Sequence, residues 1–310
     1  MGVLLGELGK RLAERWLSLL VLPGALYVAV AAAAVDLGHA HALDLGRLTD
    51  KITSYAEAPA VTTLGGQVVV LAAVLAGAAA IGVAAQGFGT LFERFVLAAG
   101  WRSWPRPLAA LAHRWVHRRR RRWDAAHATW HTEYQRARAP DAADRPDPEA
   151  RHWAVRDRNR IAVERPDRPT WSGDRIHGAA LRLDREHHLD LATVWPHLWL
   201  ALPDAVRGEL TAARAALSRA MTLAAWAVLY AVLILWWWPA APLALVLAVA
   251  ARHRIRTATD TYAQLLEATT RVYAIELAQR LGIDHAGPLD QGLGRILTHC
   301  LRARLPRPPL

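Results

Sequence analysis

Asp124, His127 and His131 fall at i, i+3 and i+7, a spacing that sets one carboxylate and two imidazoles near a single face of a helix. Ligands of those types suit several divalent metals. The pairs His113/His117 and His127/His131 stand four residues apart, but neither carries the Glu that a helical zinc-hydrolase motif requires, so a solvated polar face is the default reading. Asp36, His39, His41 and Asp44 form a second candidate chelating set. There is no phosphate-cradling glycine loop, nucleophile elbow or kinase signature. Ser172 beside Asp174 lacks an elbow context and reads as a helix cap. Cys300 is the sole cysteine, which excludes an intrachain disulfide, a cysteine zinc site and a redox pair. The expectation is a protein without catalytic residues, metal or cofactor.

The elements that carry these residues are set by a segregation of apolar and basic material. Ala220 to Ala251 is a run of thirty-two residues without a charge, interrupted by Trp236-Trp237-Trp238-Pro239 and closed by Arg252, Arg254 and Arg256. One span needs only about 20 apolar residues, and Pro239 with Pro242 would interrupt a single helix, so the run predicts a helical hairpin with a tryptophan tip. One long tilted helix is the alternative. Each arm would be short, which calls for snorkelling arginines or local thinning of the bilayer.

A first span is predicted at 16–35, after Lys10, Arg11 and Arg15; that start also has the pattern of a signal peptide, with Ala32 to Ala34 as cleavage-site residues. A second is predicted at 64–92. The intervening 36–63 carries four acids against two bases, net −2, whereas Glu93 to Arg219 carries twenty-four arginines against sixteen acids, net +8, and the tail from Arg252 nine against five, net +4. The positive-inside rule then puts the first segment outside and the other two in the cytoplasm. The fold class expected is all-α, an integral membrane protein of four transmembrane helices (2+2), with a cytoplasmic helical insert between the pairs and a C-terminal cytoplasmic helix. Its segments are an N-terminal cytoplasmic helix (1–15), the spans 16–35, 64–92, 220–238 and 239–252, the insert 93–219 with a mobile linker at 138–169, and the tail 253–310.

No Asp, Glu, Lys, Arg or His falls inside these spans, Arg252 standing at the end of the fourth, which argues against an ion-coupled carrier. Gly77, Ala78, Gly82, Gln86 and Gly89 make overlapping small-residue helix-packing faces, read as packing within one chain ahead of contact between copies. Trp236, Trp237 and Trp238 with Arg252 and Arg254 are expected at the membrane interface. In the insert, Leu108, Ala112, Trp115, Trp123, Trp130 and Tyr134 form a stripe at near-helical steps, opposite the run His117 to Arg122. That run reads as a topology signal that meets anionic lipid headgroups rather than nucleic acid. Lys10 and Lys51 are the only lysines in an alanine-rich chain, so the arginine excess reflects base composition as much as phosphate chemistry.

Further on come Pro169-Thr170-Trp171-Ser172-Gly173-Asp174-Arg175 and Trp195-Pro196-His197-Leu198-Trp199. A helix capped by Ser172 would align Ile176, Ala180, Leu183 and His187, and the second element would break it from a long helix beginning near Asp204. A return helix carrying Tyr262, Leu265, Thr269, Tyr273, Leu277 and Leu281 would stop at Gly282. The two elements resemble those of a set of mainly actinobacterial multi-pass membrane proteins, which share a Pro-Thr-Trp-x-Gly-Asp-Arg element and a Trp-Pro-x-Leu-Trp element before a C-terminal span pair. The resemblance covers the C-terminal half well and the first spans loosely. It implies a bacterial membrane protein with an internal cytoplasmic domain and carries no catalytic residue.

The functional expectation is a self-associating pore or membrane-perturbing unit in the bacterial cytoplasmic membrane, controlled by its cytoplasmic domain, with both termini cytoplasmic. The alternative is an anchor or scaffold for a cytoplasmic partner protein, docking on a surface that includes Trp171, Trp195 and Trp199, unless those rings are core. Partners expected are the lipid bilayer with its anionic headgroups, and as candidates a homo-oligomer and a cytoplasmic protein. The C-terminal Pro306-Arg307-Pro308-Pro309 reads as a disordered end.

Overall fold

The computed structural model describes residues 21–58, 62–138 and 148–302. The predicted helix 1–15, the start of the first predicted span, the middle of the predicted linker and the proline-rich end lie outside the described residues. Among the described residues the chain is all-α, with no strand. Its helices are α1 (Leu22–Leu37), α2 (Leu45–Ala56), α3 (Leu64–Leu97), α4 (Arg106–Arg136), α5 (Pro148–Ile161), α6 (Trp171–His187), α7 (Leu191–Ala201), α8 (Asp204–Leu233), α9 (Ala240–Arg280) and α10 (Gln291–Leu301). They fall into two compact units: residues 1–93 with 218–253, and 94–217 with 254–310.

Among the described residues, α3 and α8, each lying partly in the first unit, are long and apolar enough to cross a membrane. Only 17% of the most apolar window of α3 is buried, unlike the core helix of a water-soluble domain. Its uncovered residues are aliphatic: Val69 is 67% exposed and Leu71 61%. Two of the four predicted spans thus have spanning length. The apolar part of α9, Ala240 to Ala251, extends about 18 Å at 1.5 Å per residue, well short of a hydrocarbon core of about 30 Å. Helix α1 has 16 residues among the described ones.

The uncharged run does not form one helix: α8 ends at Leu233 and α9 starts at Ala240. The turn is closed by Trp236 and Trp237 amides donating to the Leu233 carbonyl, at 3.0 and 2.9 Å. Trp226, Tyr230 and Leu233 from one side of the turn share a buried cluster with Ala240 and Ala244 from the other. Trp237 is partly buried and its Nε1 donates to the Ala42 carbonyl at 2.9 Å, while Trp236 and Trp238 are each 48% exposed. Arg252 and Arg254 are exposed.

The small-residue face of α3 keeps Ala78, Gly82 and Gly89 of the predicted set and has Ala85 in place of Gly77 and Gln86. Ala78, Gly82, Ala85 and Gly89 are buried, whereas Gln86 is exposed and a Cβ added at Gly77 would meet no atom within 4 Å. Steps of four, three and four follow the 3.6-residue turn better than the uniform four-residue steps from Ala78 to Gln86. The buried face is covered within the chain: a Cβ on Gly24 would lie 2.0 Å from the Ala78 carbonyl oxygen, and one on Gly89 2.9 Å from Thr222 Oγ1. Tyr27 fills the neighbouring space, its ring 6.0 Å from Trp226 and 5.3 Å from Tyr230.

The second unit is built on a core of Leu189, Val194 and Leu198 with Leu210, Leu266, Ala274, Leu277, Leu293 and Leu297, drawn from the α6–α7 connection and from α7 to α10. Three local expectations are corrected. Helix α6 is capped by Thr170, whose hydroxyl accepts from the Gly173 amide at 3.1 Å, while Ser172 is buried inside its first turn. The Trp-Pro-His-Leu-Trp element lies within α7 rather than breaking the helix: Pro196 and Ala192 are both exposed, so the carbonyl left without its helical donor faces solvent. Of the predicted linker, 148–161 is helix, and 162–169 is held by hydrogen bonds described below. Gly282 does end α9, at φ +73, the left-handed conformation open to glycine.

His188 ends α6 in the same left-handed region, φ 52, but with a side chain, and it is exposed. His188→Gly is expected to stabilise the protein by about 0.5–1 kcal/mol by relieving that conformation. Urea unfolding of the detergent-solubilised chain reads this as a higher midpoint at unchanged slope; a lower midpoint would show that the imidazole matters more than the backbone.

Candidate functional site

The densest polar constellation lies in the second unit, where the loop 162–170 crosses α4 and enters α6. Thr170 sets the N-terminus of α6, and Asp174 in its first turn is directed back at the loop. Its Oδ1 accepts from the amides of Asp167 and Arg168 at 2.8 and 2.7 Å, and its Oδ2 from Arg119 Nη1 at 2.6 Å. The Asp174 side chain is only 5% exposed and that of Arg119 15%. Burial pushes the Asp174 carboxyl up, and the Arg119 charge and the two amides pull against it. Arg119 also donates to the carbonyls of Arg168 and Ile161, at 2.8 and 2.7 Å, so the guanidinium closes the base of the loop.

Neighbouring side chains complete the clamp. Arg120 reaches the Pro166 carbonyl and the Asp167 carboxylate, both at 2.7 Å, and Arg102 binds both oxygens of that carboxylate, at 2.9 and 3.1 Å. The indoles of Trp101 and Trp123 donate to the carbonyls of Asp167 and Ala162. Arg168 Nη1 and the Thr170 hydroxyl donate to the Leu97 and Val96 carbonyls at the end of α3. These contacts satisfy backbone groups left without helical partners by the loop and helix end. A second ladder ties α6 to α9: Arg175 to Asp260 at 2.5 Å, Arg182 to Glu267, and Arg271 to Glu186 at 2.6 Å.

Beside the clamp is a cavity of about 300 Å³ lined by Trp101, Arg102, Ser103, Asp167, Arg168 and His177. Its two guanidiniums are engaged by Asp167 and by the Leu97 carbonyl. His177 Nε2 lies 4.0 Å from Asp167 Oδ2, but desolvation first, then the charges of Arg168 and Arg102, hold its pKa below the ordinary value of 6.5. A depressed histidine pKa contributes stability above about pH 6.5, lost as pH falls towards the folded value, because the unfolded chain takes up the proton first. His177→Gln is therefore expected to flatten the decline of stability just below pH 6.5. Urea midpoints at a series of pH values check this, and an unchanged acid limb would contradict it.

The arrangement is a structural clamp: its carboxylates face guanidiniums and amides, with no nucleophile held against a base. The candidate metal ligands are not brought together. Asp124 is bound by Arg165 through two contacts of 3.0 Å, and the His127 ring stacks on Trp123 at 4.6 Å. His131 is instead 3.5 Å from the Gln135 side chain. In the other set, Asp44 caps α2 and His39 meets the Leu235 carbonyl. No group of three potential metal ligands forms among the described residues.

Trp195 and Trp199 are partly buried against the second unit's core, 6.0 Å apart. Trp171 is half-buried beneath the Arg256 guanidinium, at 4.7 Å. Packing thus accounts for much of the ring area proposed for docking, although Leu200 next to Trp199 is 76% exposed. Sequence reasoning missed the Asp174 clamp. The arginine run does not lie on one face, either: Arg119 and Arg120 turn inward beside the buried Ala112, Val116 and Trp123, and Leu108 and Trp115 turn outward. The 3.6-residue period holds the missing signal, since Arg119 is three residues from Val116 and four from Trp123.

No protein family, curated protein or solved structure matches the chain.

Proposed function

We propose that the chain is a bacterial multi-pass membrane protein without catalytic role, whose apolar unit anchors a cytoplasmic helical unit that receives a partner protein. The observation that carries this reading is how the apolar unit is filled. Tyr27, Trp226, Tyr230 and Trp237 occupy its interior, and the small-residue face of α3 packs against α1 and α8 of the same chain. The face that motivated self-association is spent internally, which favours an anchor over a pore. The aliphatic surface of α3 supports its contact with lipid.

Four spans remain the topology of this reading. Leu210 at the start of α8 and Leu277 near the end of α9 share one core, so a crossing by α8 requires a return by α9. The short α9 arm would be accommodated by snorkelling of Arg252 and Arg254 or by thinning of the bilayer. The basic segments support cytoplasmic termini under the positive-inside rule. The resemblance to actinobacterial multi-pass proteins belongs to the same proposal.

The test is reconstitution of the full chain in proteoliposomes, with stoichiometry measured in nanodiscs. The anchor reading expects a monomer and no leakage of trapped ions or dye above protein-free vesicles. Leakage that appears together with a defined oligomer would overturn it and restore the pore.

A further inference from the structure

Helix α4 has two basic faces with different fates. The inner one, Arg119 and Arg120, is spent on the loop 162–170. On the outer one, Leu108, Leu111 and Trp115 are 41, 53 and 59% exposed. Arg118 and Arg122 are exposed along the same stripe, Arg114 and Arg121 are exposed on its flank, and none of the four forms an ion pair among the described residues. The order Leu111, Trp115, Arg118, Arg122 advances by four, three and four residues, so apolar and cationic groups lie along one stripe.

We propose that this outer face of α4 rests on an anionic bilayer surface: Leu108, Leu111 and Trp115 enter the headgroup boundary, and the four arginines hold the helix against lipid phosphates. The inference rests on the membrane reading of α3. Eight residues separate Leu97 from Arg106, a reach of at most about 30 Å, so α4 is tethered within range of the surface where α3 would emerge. Aliphatic side chains among arginines match the chemistry of an interfacial helix, in which apolar burial and attraction to anionic lipid act together. A nucleic acid would engage the arginines but gain little from Leu108 and Leu111.

The test uses the full chain with Cys300→Ser and a single spin label at Leu111→Cys, in nanodiscs of phosphatidylcholine alone or mixed with phosphatidylglycerol. Collision with oxygen reports lipid, and collision with a water-soluble nickel chelate reports solvent. A label at Val69→Cys on α3 is the reference for membrane insertion. The expected result is a Leu111 label in lipid only when phosphatidylglycerol is present. Each of Arg118→Gln and Arg122→Gln should lower its bound-to-free ratio by about fivefold, and high salt should release it. A Leu111 label in water in both nanodiscs, with Val69 in lipid, overturns the surface contact alone. Shielding of Leu111 from both probes also overturns it, because a protein then covers the face. A Val69 label in water fails the membrane reading itself.

Discussion

Asp174→Ala is expected to cost about 3–5 kcal/mol, because it strands three donors at once. Arg119 keeps its two carbonyl acceptors but loses the carboxylate that compensates its buried charge, and the amides of Asp167 and Arg168 lose their acceptor. Asp174→Asn should cost less, since an amide oxygen can still accept from the two backbone groups. Replacing both partners, as in Arg119→Met with Asp174→Ala, should recover part of the loss by removing the unpaired charge. It cannot recover all of it, because the two amides stay bare. Urea unfolding of the detergent-solubilised chain followed through tryptophan emission gives the four corners of that cycle. Limited digestion with a glutamate-specific protease supplies a local readout: release of the loop should speed cleavage between Glu164 and Arg165 by at least about tenfold. Equal cleavage of wild type and Asp174→Ala would mean that Arg120, Trp101 and Trp123 suffice to hold the segment.

This clamp marks the boundary of what the sequence discloses. The helix break within 220–251 is legible because length, prolines and the absence of charge are local properties. The end of α9 at Gly282 is legible for the same reason. Asp174 and Arg119 are 55 residues apart, and nothing local tells which of many arginines meets which acid. The cap of α6 illustrates a finer limit, since Thr170 and Ser172 are both good capping residues two positions apart. The Thr170 hydroxyl also donates to the end of α3, a long-range contact that selects it. Pro196 misleads in the opposite direction. A proline breaks a helix when the lost bond is buried, and here it is exposed. The divisions between the units fall within two residues of Glu93, Arg219 and Arg252, the charged ends of the apolar runs.

Gly24→Val should be the most damaging single change in the apolar unit, with an expected loss of about 3 kcal/mol. The added Cβ would sit 2.0 Å from the carbonyl oxygen and 2.8 Å from the carbonyl carbon of Ala78, and those are backbone atoms that no rotamer change can move. Helix α1 must retreat, and Tyr27, three residues on, must retreat with it. That withdraws a ring from Trp226 and Tyr230 and breaks its hydroxyl contact with the Leu229 carbonyl. Dense interiors do not absorb such a shift by small adjustments elsewhere. Gly77→Ala is the matched control, because a Cβ there meets nothing and alanine favours the helix by about 1 kcal/mol over glycine. Thermal unfolding of both variants in nanodiscs should move in opposite directions. Similar losses at Gly24 and Gly77 would instead put Gly77 on a packed face between copies, and the case for a self-associating unit would reopen.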